Sequence, residues 1–399
     1  MMAALGAFFL SLLVFQVSAT HSLSLDLIVP PSAVKFESLT VKAILKNTGG
    51  VPLKLFKDPR SILFDATTTK FHIKSDSCVP YFIGPSIIYE ISDAVKSTDP
   101  LDFTVLKPGQ TFEFEHHLVN TYDFSQCNED SYTIMAFETF YHVDASGKIQ
   151  VIQASTESSS FKIEKTHKPA SLGRRADNND IGELSPYTSG CSTDERSLII
   201  KAAISTNNAV KYSLNELSGA SPGNKMSRYE TWFGEYDQRR LKTVQSHFQR
   251  IDSKATKLFY DCSLCKTYLK RRSWMLAYYE TAWGASDTLY ICPEFHNTPE
   301  NGDSKAGVII RALLQLSTKK QGEHAITDYY STLEEAHKLA DKSPEKAIMN
   351  AENHRYLWVP FHNFEVWPSS SPTYLQCGDP LTHFTSPIFQ RDGVRYEEV

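Results

Sequence analysis

Arg311 and Gln315 are the two residues whose types and spacing bear most directly on chemistry in this chain of 399 residues. They lie four positions apart in a segment, 308–316, whose other residues are all apolar. The apolar residues recur at helical spacing and extend nearly all round, which predicts a buried helix. Side chains four residues apart leave the same face of a helix. The pair therefore directs a fixed positive charge and an amide toward one place in the interior.

Asp328 follows this helix and adds one carboxylate, but the three residues together do not make a zinc site. Zinc needs about three protein ligands and a water. Arginine stays protonated and has no lone pair to offer. One carboxylate with an amide carbonyl does not hold this cation tightly, so we predict no cofactor at these residues.

An alternative hypothesis is that four histidines bind a metal at another site. They are His324, His337, His354 and His362, and the pair Glu323–His324 lies close to Asp328 in sequence. None has a recognised ligand spacing, and such histidines are more often surface or core residues. Zinc is expected only if this alternative holds.

The composition is that of a globular protein, with 41% hydrophobic residues and a net charge of −5. This charge argues against general affinity for nucleic acid or anionic membranes. Residues 1–19 have the pattern of a signal peptide, with an apolar run from Ala7 to Val17 that is too short to span a membrane. We therefore expect a secreted protein without a membrane segment.

The seven cysteines should mostly form disulfides in an oxidising compartment, and the odd number leaves one over. Cys78 and Cys127 could pair within the first part of the chain. The spacing of Cys262 and Cys265 fits either structural pairing with distant partners or a redox or metal half-site. Export favours structural pairing, with Cys377 left over.

The elements that position these residues fall into two parts, the first with strand patterns and the second with mainly helical patterns. This segregation predicts an α+β fold. Residues 20–165 contain short alternating β-branched segments separated by turns, which indicates an antiparallel β-sandwich of immunoglobulin-like shape. After Cys191 the pattern is helical, and Ser192 with Glu195 forms a capping-box signature. Further helices are predicted over about 236–259, over 304–318 after an N-cap at Asp303 or Ser304, and from Ser343 onward.

Between these parts, residues 166–190 are polar and predict a linker. Arg174 and Arg175 in this linker could be a processing site for a secretory-pathway protease or simply solvated charges. Residues 359–399 form an aromatic, proline-containing tail without a clear period.

Several segments together resemble a known protein family. Those in the second part are 229–236, 260–262, 289–292, 303–307 and 344–354, and those in the first are 47–49, 57–60 and 103–110. Residues 191–358 resemble the zincin-like catalytic domain of the fungal peptidyl-Lys metalloendopeptidases, in the deuterolysin (aspzincin) family. Residues 20–165 resemble the propeptide of that family.

The resemblance places the family's zinc and catalytic residues at positions where this chain has lost them. Arg311 and Gln315 stand where the family has its two histidines, and Ala312 stands where it has the catalytic glutamate. Ser331 replaces the tyrosine that polarises the scissile carbonyl, and Asp328 alone matches a ligand type. Without metal and glutamate, nothing lowers the pKa of water or takes its proton.

Two further expectations rest on the same resemblance. The acidic positions of the family's lysine pocket correspond to Glu352 and Arg355, and the reversed charge of Arg355 would repel a lysine side chain. The family's disulfides imply pairing of Cys191 with Cys262 and of Cys265 with Cys292.

A guanidinium at the metal's place suggests an ion pair between Arg311 and Asp328, because a buried unpaired charge is expensive. The alternative is that Arg311 extends along the cleft to solvent.

These observations favour a non-catalytic relative, a pseudoprotease that binds a peptide or protein through the old cleft or its surface. An active metalloendopeptidase that uses unaligned metal ligands is the alternative, and a decoy or inhibitor of an active relative is a third possibility.

Overall fold

The structure is a computed structural model. It describes residues 21–31, 35, 38–118, 121–125, 127–164, 186–222, 228–266, 272–280, 287–298, 304–318, 325–328 and 332–358. The predicted signal peptide, Arg174 and Arg175, and the tail from residue 359 lie outside these ranges.

The N-terminal half, residues 21–164, is built mainly of strands. They are Leu23–Ile28 (β1), Thr40–Asn47 (β2), Leu53–Phe56 (β3), Phe71–Lys74 (β4), Tyr81–Phe82 (β5), Pro85–Tyr89 (β6), Phe103–Leu106 (β7), Thr111–His117 (β8), Tyr122–Asp123 (β9), Ser131–Ala136 (β10), Thr139–Val143 (β11), Ile149–Gln153 (β12), Ser155–Thr156 (β13) and Ser159–Lys162 (β14), with one short helix, Ile91–Ala94 (α1).

Most of these strands form three sheets, of orders β13-β1-β2-β8, β14-β10-β4 and β12-β11-β3-β7. Their inward side chains share one core, in which Leu25, Val41, Leu55 and Ile134 are fully buried. The alternating pattern of β1 and β2 produces this packing because successive side chains point to opposite faces of a strand. A disulfide joins Cys78 to Cys127.

The C-terminal half, residues 186–358, adds the helices of the mixed fold. Its elements are Tyr187–Ser189 (β15), Thr193–Ser218 (α2), Arg228–Phe233 (α3), Gln238–Ile251 (α4), Phe259–Asp261 (β16), Met275–Glu280 (β17), Thr288–Ile291 (β18), Lys305–Thr318 (α5), Leu333–Lys342 (α6), Pro344–Ala347 (α7) and Ala351–Trp358 (α8). The α+β class predicted from the sequence is confirmed. Among the described residues, no helix is both long enough and apolar enough to cross a membrane.

One sheet contains strands from both halves. Its order is β15-β16-β18-β17-β6, so a strand of the N-terminal half pairs with the C-terminal half's own sheet. The core beneath it also draws on both halves, since Phe56 and Tyr89 pack with Trp274 and Met275. A sequence pattern of alternation does not reveal this partner, because it specifies the strand but not where the strand pairs.

Three parts of the chain differ in extent from what their sequence patterns suggest. The alternating stretch 132–143, within the part predicted to be a β-sandwich, forms two strands, β10 and β11, which pair with strands of different sheets. The helix expected to about residue 259 ends at Ile251, shortly before Ser253 takes a φ of 56°. The linker expected over 166–190 contains strand β15, which pairs in parallel with β16.

The predicted helix from Ser343 is also interrupted, and this interruption matters for the site. It divides into α7 and α8 because Asn350 forms a β-bridge with Thr327. The main chain of Thr327 accepts from Ala351 N and donates to Met349 O. This bridge fixes Asp328 beside the first turn of α8.

Candidate functional site

Helix α5 carries the polar pair into the interior. Ser304 acts as its cap, since Gly307 N donates to Ser304 Oγ at 3.2 Å. Nearly every residue of the helix is buried, as its all-round apolar pattern predicts. Arg311 is fully buried and Gln315 is 7% exposed.

Arg311 lies at the centre of a group of buried charges. Its Nη2 is 3.3 Å from Asp328 Oδ2, so the structure forms the ion pair expected from the sequence. Its Nε is 2.8 Å from Glu352 Oε1, a close charge contact without hydrogen-bond alignment. Its Nη1 is 3.4 Å from Glu90 Oε1. The alternative, in which Arg311 reaches solvent, is wrong because its side chain has no exposed surface.

Arg355, on α8, shares the same carboxylates. Its Nε donates to Glu352 Oε2 at 2.6 Å, and its Nη1 and Nη2 lie 3.2 Å and 3.3 Å from the two oxygens of Glu90. Its Nη2 also donates to the Tyr356 hydroxyl at 2.8 Å. Glu352 therefore bridges the two arginines from one side, and Glu90 bridges them from the other. We call Arg311, Arg355, Glu90, Glu352 and Asp328 the arginine–carboxylate cluster.

The electrostatics of the cluster keep Arg311 protonated. Burial by itself lowers the pKa of Arg311, but Glu352, Asp328 and Glu90 outweigh it, and the pKa is raised above its usual value. A buried charge of this kind is tolerated only when its partners are in place.

A second set of polar contacts joins the cluster to the N-terminal half. Arg60 Nη1 donates to the main-chain oxygen of Asp328 at 2.6 Å. Its other nitrogens contact Asp58 and the hydroxyl of Tyr89. The Tyr141 hydroxyl donates to Glu335 on α6 at 3.3 Å, and burial raises the pKa of Glu335. The loop that holds Asp328 is therefore fixed from both halves.

The remaining positions predicted to be degenerate are also unsuited to zinc. Gln315 Oε1 accepts from the Tyr279 hydroxyl at 2.5 Å, and burial raises the pKa of that hydroxyl, which keeps it a neutral donor. Ala312 is fully buried and has no donor atom. Ser331 lies outside the described residues.

Asp328 Oδ1 is the one oxygen of that carboxylate without a hydrogen-bond partner among the described residues. One carboxylate oxygen beside a guanidinium does not satisfy a cation that requires about three ligands. These residues therefore do not fit a zinc ion.

The histidines considered as alternative ligands are not assembled in the part of the chain that the structure describes. His324, His362 and Glu323 lie outside it. His337 is half-exposed on α6, with Nδ1 3.7 Å from Asp341. His354 is fully buried on α8, and its Nε2 is 3.1 Å from His247 Nδ1.

Within the same described ranges, one group brings three possible ligand atoms within 4.8 Å of one another: Glu195, Cys262 and His296. The sulfur of Cys262 forms a disulfide with Cys191 and is not a thiolate. The group therefore lacks the metal-binding form of its sulfur.

The cysteines of the second half pair as the family resemblance implies. Disulfides join Cys191 to Cys262 and Cys265 to Cys292. The Cys262–Cys265 spacing is therefore neither a redox pair nor a metal half-site. Cys377 lies outside the described residues.

Sequence reasoning missed Glu90, Tyr89 and Tyr279 as members of the site. Glu90 directly follows the stretch Ser86-Ile87-Ile88-Tyr89, and nothing local distinguishes it from an ordinary residue after a strand. Arg60 belongs to the matching segment 57–60, and the resemblance implies no contact for it. Pairing of β6 with β17 brings these residues to the cluster, and periodicity does not predict such long-range pairing.

Comparison with known proteins gives consistent relationships. Residues 218–358 match the family model described as lysine-specific metallo-endopeptidase. The chain is 32% identical over 345 residues to a peptidyl-Lys metalloendopeptidase of Armillaria mellea, covering 85% of this chain and 92% of that protein. It is 24% identical over 330 residues to an extracellular protease of Aeromonas hydrophila, covering 80% of this chain and 87% of that protein.

A solved structure, the zinc peptidase from Grifola frondosa, is 31% identical to the aligned part of the chain. That alignment covers 42% of this chain and 95% of the solved one, with a TM-score of 0.36.

Proposed function

Because the chain belongs to the lysine-specific metallo-endopeptidase family, we propose that it is a secreted pseudoprotease, a member that has lost zinc binding and catalysis and acts by binding a peptide or protein. Similarity to metalloendopeptidases covers most of the chain, and the loss of activity goes beyond that similarity. The single observation that carries it is the position of Arg311 inside the arginine–carboxylate cluster.

The chemical support is that each part of the hydrolytic machinery is replaced by a group that cannot perform its role. A guanidinium donates hydrogen bonds but cannot accept electron density from water or deliver hydroxide. Ala312 cannot act as a general base. The amide oxygen of Gln315 already accepts a hydrogen bond from the Tyr279 hydroxyl.

The cluster also supports a change in what the site would bind. Arg355 stands where the family resemblance implies an acidic residue of the lysine pocket. Glu352 is ion-paired with both Arg311 and Arg355. A lysine ammonium entering this place would meet two guanidinium groups, and like charges at such distances repel in a low-dielectric interior.

Secretion and the propeptide-like character of the N-terminal half belong to the same proposal. Three disulfides are typical of an oxidising compartment, and one relative is named an extracellular protease. The resemblance of residues 20–165 to a propeptide, with a β-sandwich form, rests on the matching segments quoted above.

The test measures zinc and turnover together on the purified full chain. After dialysis against zinc and then buffer, we expect substoichiometric zinc by elemental analysis. We also expect no cleavage of a quenched fluorescent peptide containing lysine. The Armillaria mellea peptidyl-Lys metalloendopeptidase, handled in parallel, serves as the positive control.

One bound zinc per chain together with chelator-sensitive cleavage would contradict the proposal. That result would support the alternative of an active enzyme with unaligned ligands. A mass spectrum of the secreted chain establishes at the same time whether the signal peptide and the Arg174–Arg175 pair are cut.

A further inference from the structure

Strand β6 lies along β17 as an added strand. The two strands are antiparallel, with Ile88 opposite Ala277, Ile87 opposite Tyr278 and Pro85 opposite Glu280. On its other side β17 pairs with β18, so β6 covers what would otherwise be the outer strand of the C-terminal half's sheet. Addition of an extended segment to a sheet edge is a common mode of peptide recognition.

The end of β6 is held by both arginines. Arg311 Nη1 donates to the main-chain oxygen of Tyr89 at 3.0 Å. The next residue, Glu90, places its carboxylate between Arg311 and Arg355. One guanidinium therefore contacts a carbonyl, and the other contacts mainly the side chain that follows it.

The side chains of β6 contact residues of both halves. The Tyr89 hydroxyl donates to Asp58 Oδ2 at 2.6 Å, and its ring lies 5.3 Å from that of Trp274. Ile87 and Ile88 are buried. The segment is thus bound by backbone pairing, by apolar contacts and by one charged end.

From this arrangement we propose that Arg311 and Arg355 form a carboxylate-selective pocket, whose ligand is an extended peptide segment ending in glutamate, and that residues 85–90 fill it within the same chain. The inference rests on the proposed function, because it assigns a ligand class to the cleft of the pseudoprotease. Arg311 contacts a main-chain carbonyl of the segment, and Arg355 contacts its acidic side chain.

The pocket discriminates by charge. Hydrogen bonds to charged groups are stronger than neutral ones. Glutamine has nearly the same shape as glutamate but no charge, and lysine has the opposite charge. Glu352 and Asp328 stay beside the arginines whichever side chain enters. The difference in binding among peptides that end in glutamate, glutamine or lysine therefore reports how the two arginines interact with that side chain.

The first experiment substitutes position 90 in the full chain. Glu90→Gln should lower the equilibrium constant for folding about 10- to 100-fold, measured by denaturant titration, because it removes a charged acceptor from a buried site. Glu90→Lys should lower it further. The exposed Glu157→Gln provides the matched control and should change the constant less than about twofold.

A coupling measurement identifies the partner. In an Arg355→Gln background, Glu90→Gln should have an effect at least about fivefold smaller than in the wild type, because both contacts with Arg355 are already lost and only the longer one to Arg311, at 3.4 Å, remains. Additive effects of the two substitutions would overturn the assignment of Arg355 as the partner.

The second experiment offers the segment as a free ligand. Full-chain Glu90→Lys, whose own segment is repelled, receives the labelled hexapeptide Pro-Ser-Ile-Ile-Tyr-Glu, and anisotropy reports binding. We expect it to bind at least about tenfold more tightly than the hexapeptide ending in glutamine, and the one ending in lysine to bind most weakly. Wild type should bind none of the peptides measurably, because its pocket is filled.

The outcomes separate the two proposals. Equal binding of the glutamate and lysine peptides would overturn the pocket while catalysis could still be absent. Zinc-dependent cleavage would overturn the proposed function and leave the charge preference to be judged separately. If Glu90→Lys does not fold, or folds with β6 still paired to β17 and binds no peptide, the Glu90→Gln coupling series decides the pocket.

Discussion

Helix α8 separates two kinds of buried polar chemistry. Glu352 and Arg355 join the arginine–carboxylate cluster, where the side chains are charged and reach into the N-terminal half through Glu90. His354 meets His247 on α4, within the C-terminal half. Both groups are buried except at Asp328, whose side chain is 12% exposed.

The difference between them lies in the partners available. In the cluster, carboxylates surround the guanidinium groups, so Arg311 stays charged despite its burial. The two imidazoles have each other and the carbonyl oxygen of Asn350, 3.0 Å from His354 Nδ1. Burial lowers the pKa of His354 to about 4, and burial with the neighbouring His354 lowers that of His247 to about 3. Of these two buried groups, only the one whose cationic side chains lie beside carboxylates is charged.

The largest expected effect is that of removing the central charge. Arg311→Ala leaves three carboxylates without their shared partner and should lower the free energy of unfolding by about 3–5 kcal/mol. Denaturant titration measures it. Arg239→Ala, which breaks an exposed pair with Glu345, is the control and should change stability by less than about 1 kcal/mol. Equal effects of the two variants would show that burial does not distinguish the cluster.

Lowering the pH should destabilise the protein through protonation of the buried histidine pair, His354 and His247. Because the folded-state pKa of His354 is about 4, below its unfolded value, its contribution is complete above about pH 6.5 and is lost as the pH falls toward 4. The expected loss from His354 alone is about 3 kcal/mol, measured as urea unfolding at a series of pH values. His247→Gln should flatten this dependence, whereas His337→Gln on the surface should not. A slope that is the same in all three proteins would contradict the neutral pair.

A smaller effect tests how tightly the cluster is packed. Alanine normally stabilises a helix interior relative to glycine by about 0.5–1 kcal/mol. At Gly307 an added methyl would lie 2.9 Å from Cδ of the buried Arg355, so Gly307→Ala should instead destabilise by about 1–2 kcal/mol. Gly50→Ala, with nothing within 4 Å, is the control in thermal unfolding. A stabilised Gly307→Ala protein would mean that Arg355 moves aside freely.

The sequence predicts local elements better than their long-range partners. The apolar pattern around Arg311 predicts the buried helix, and the Ser192–Glu195 pattern predicts the start of α2, where both capping contacts are present. These features depend on residues a few positions apart. The positions of Arg311 and Asp328 follow from resemblance to the family, and the cost of an unpaired buried charge then predicts their pairing.

The parts that the sequence did not predict all depend on contacts between distant segments. Glu90 is more than 200 positions from Arg311, and its role depends on β6 joining the sheet of the other half. Asn350 interrupts a helix that its own neighbours favour, because a bridge to Thr327 replaces helical pairing. Local propensity contains no term for such contacts.

Strand β6 comes from the interior of its half, with strands both before and after it in the chain. Because β6 has no chain terminus at either end, it cannot dissociate from β17 by unpairing from such an end. It dissociates only together with the strands on either side of it. Scission anywhere between residues 165 and 185 would therefore release β6 and Glu90 only together with the strands on either side of them, as one N-terminal piece.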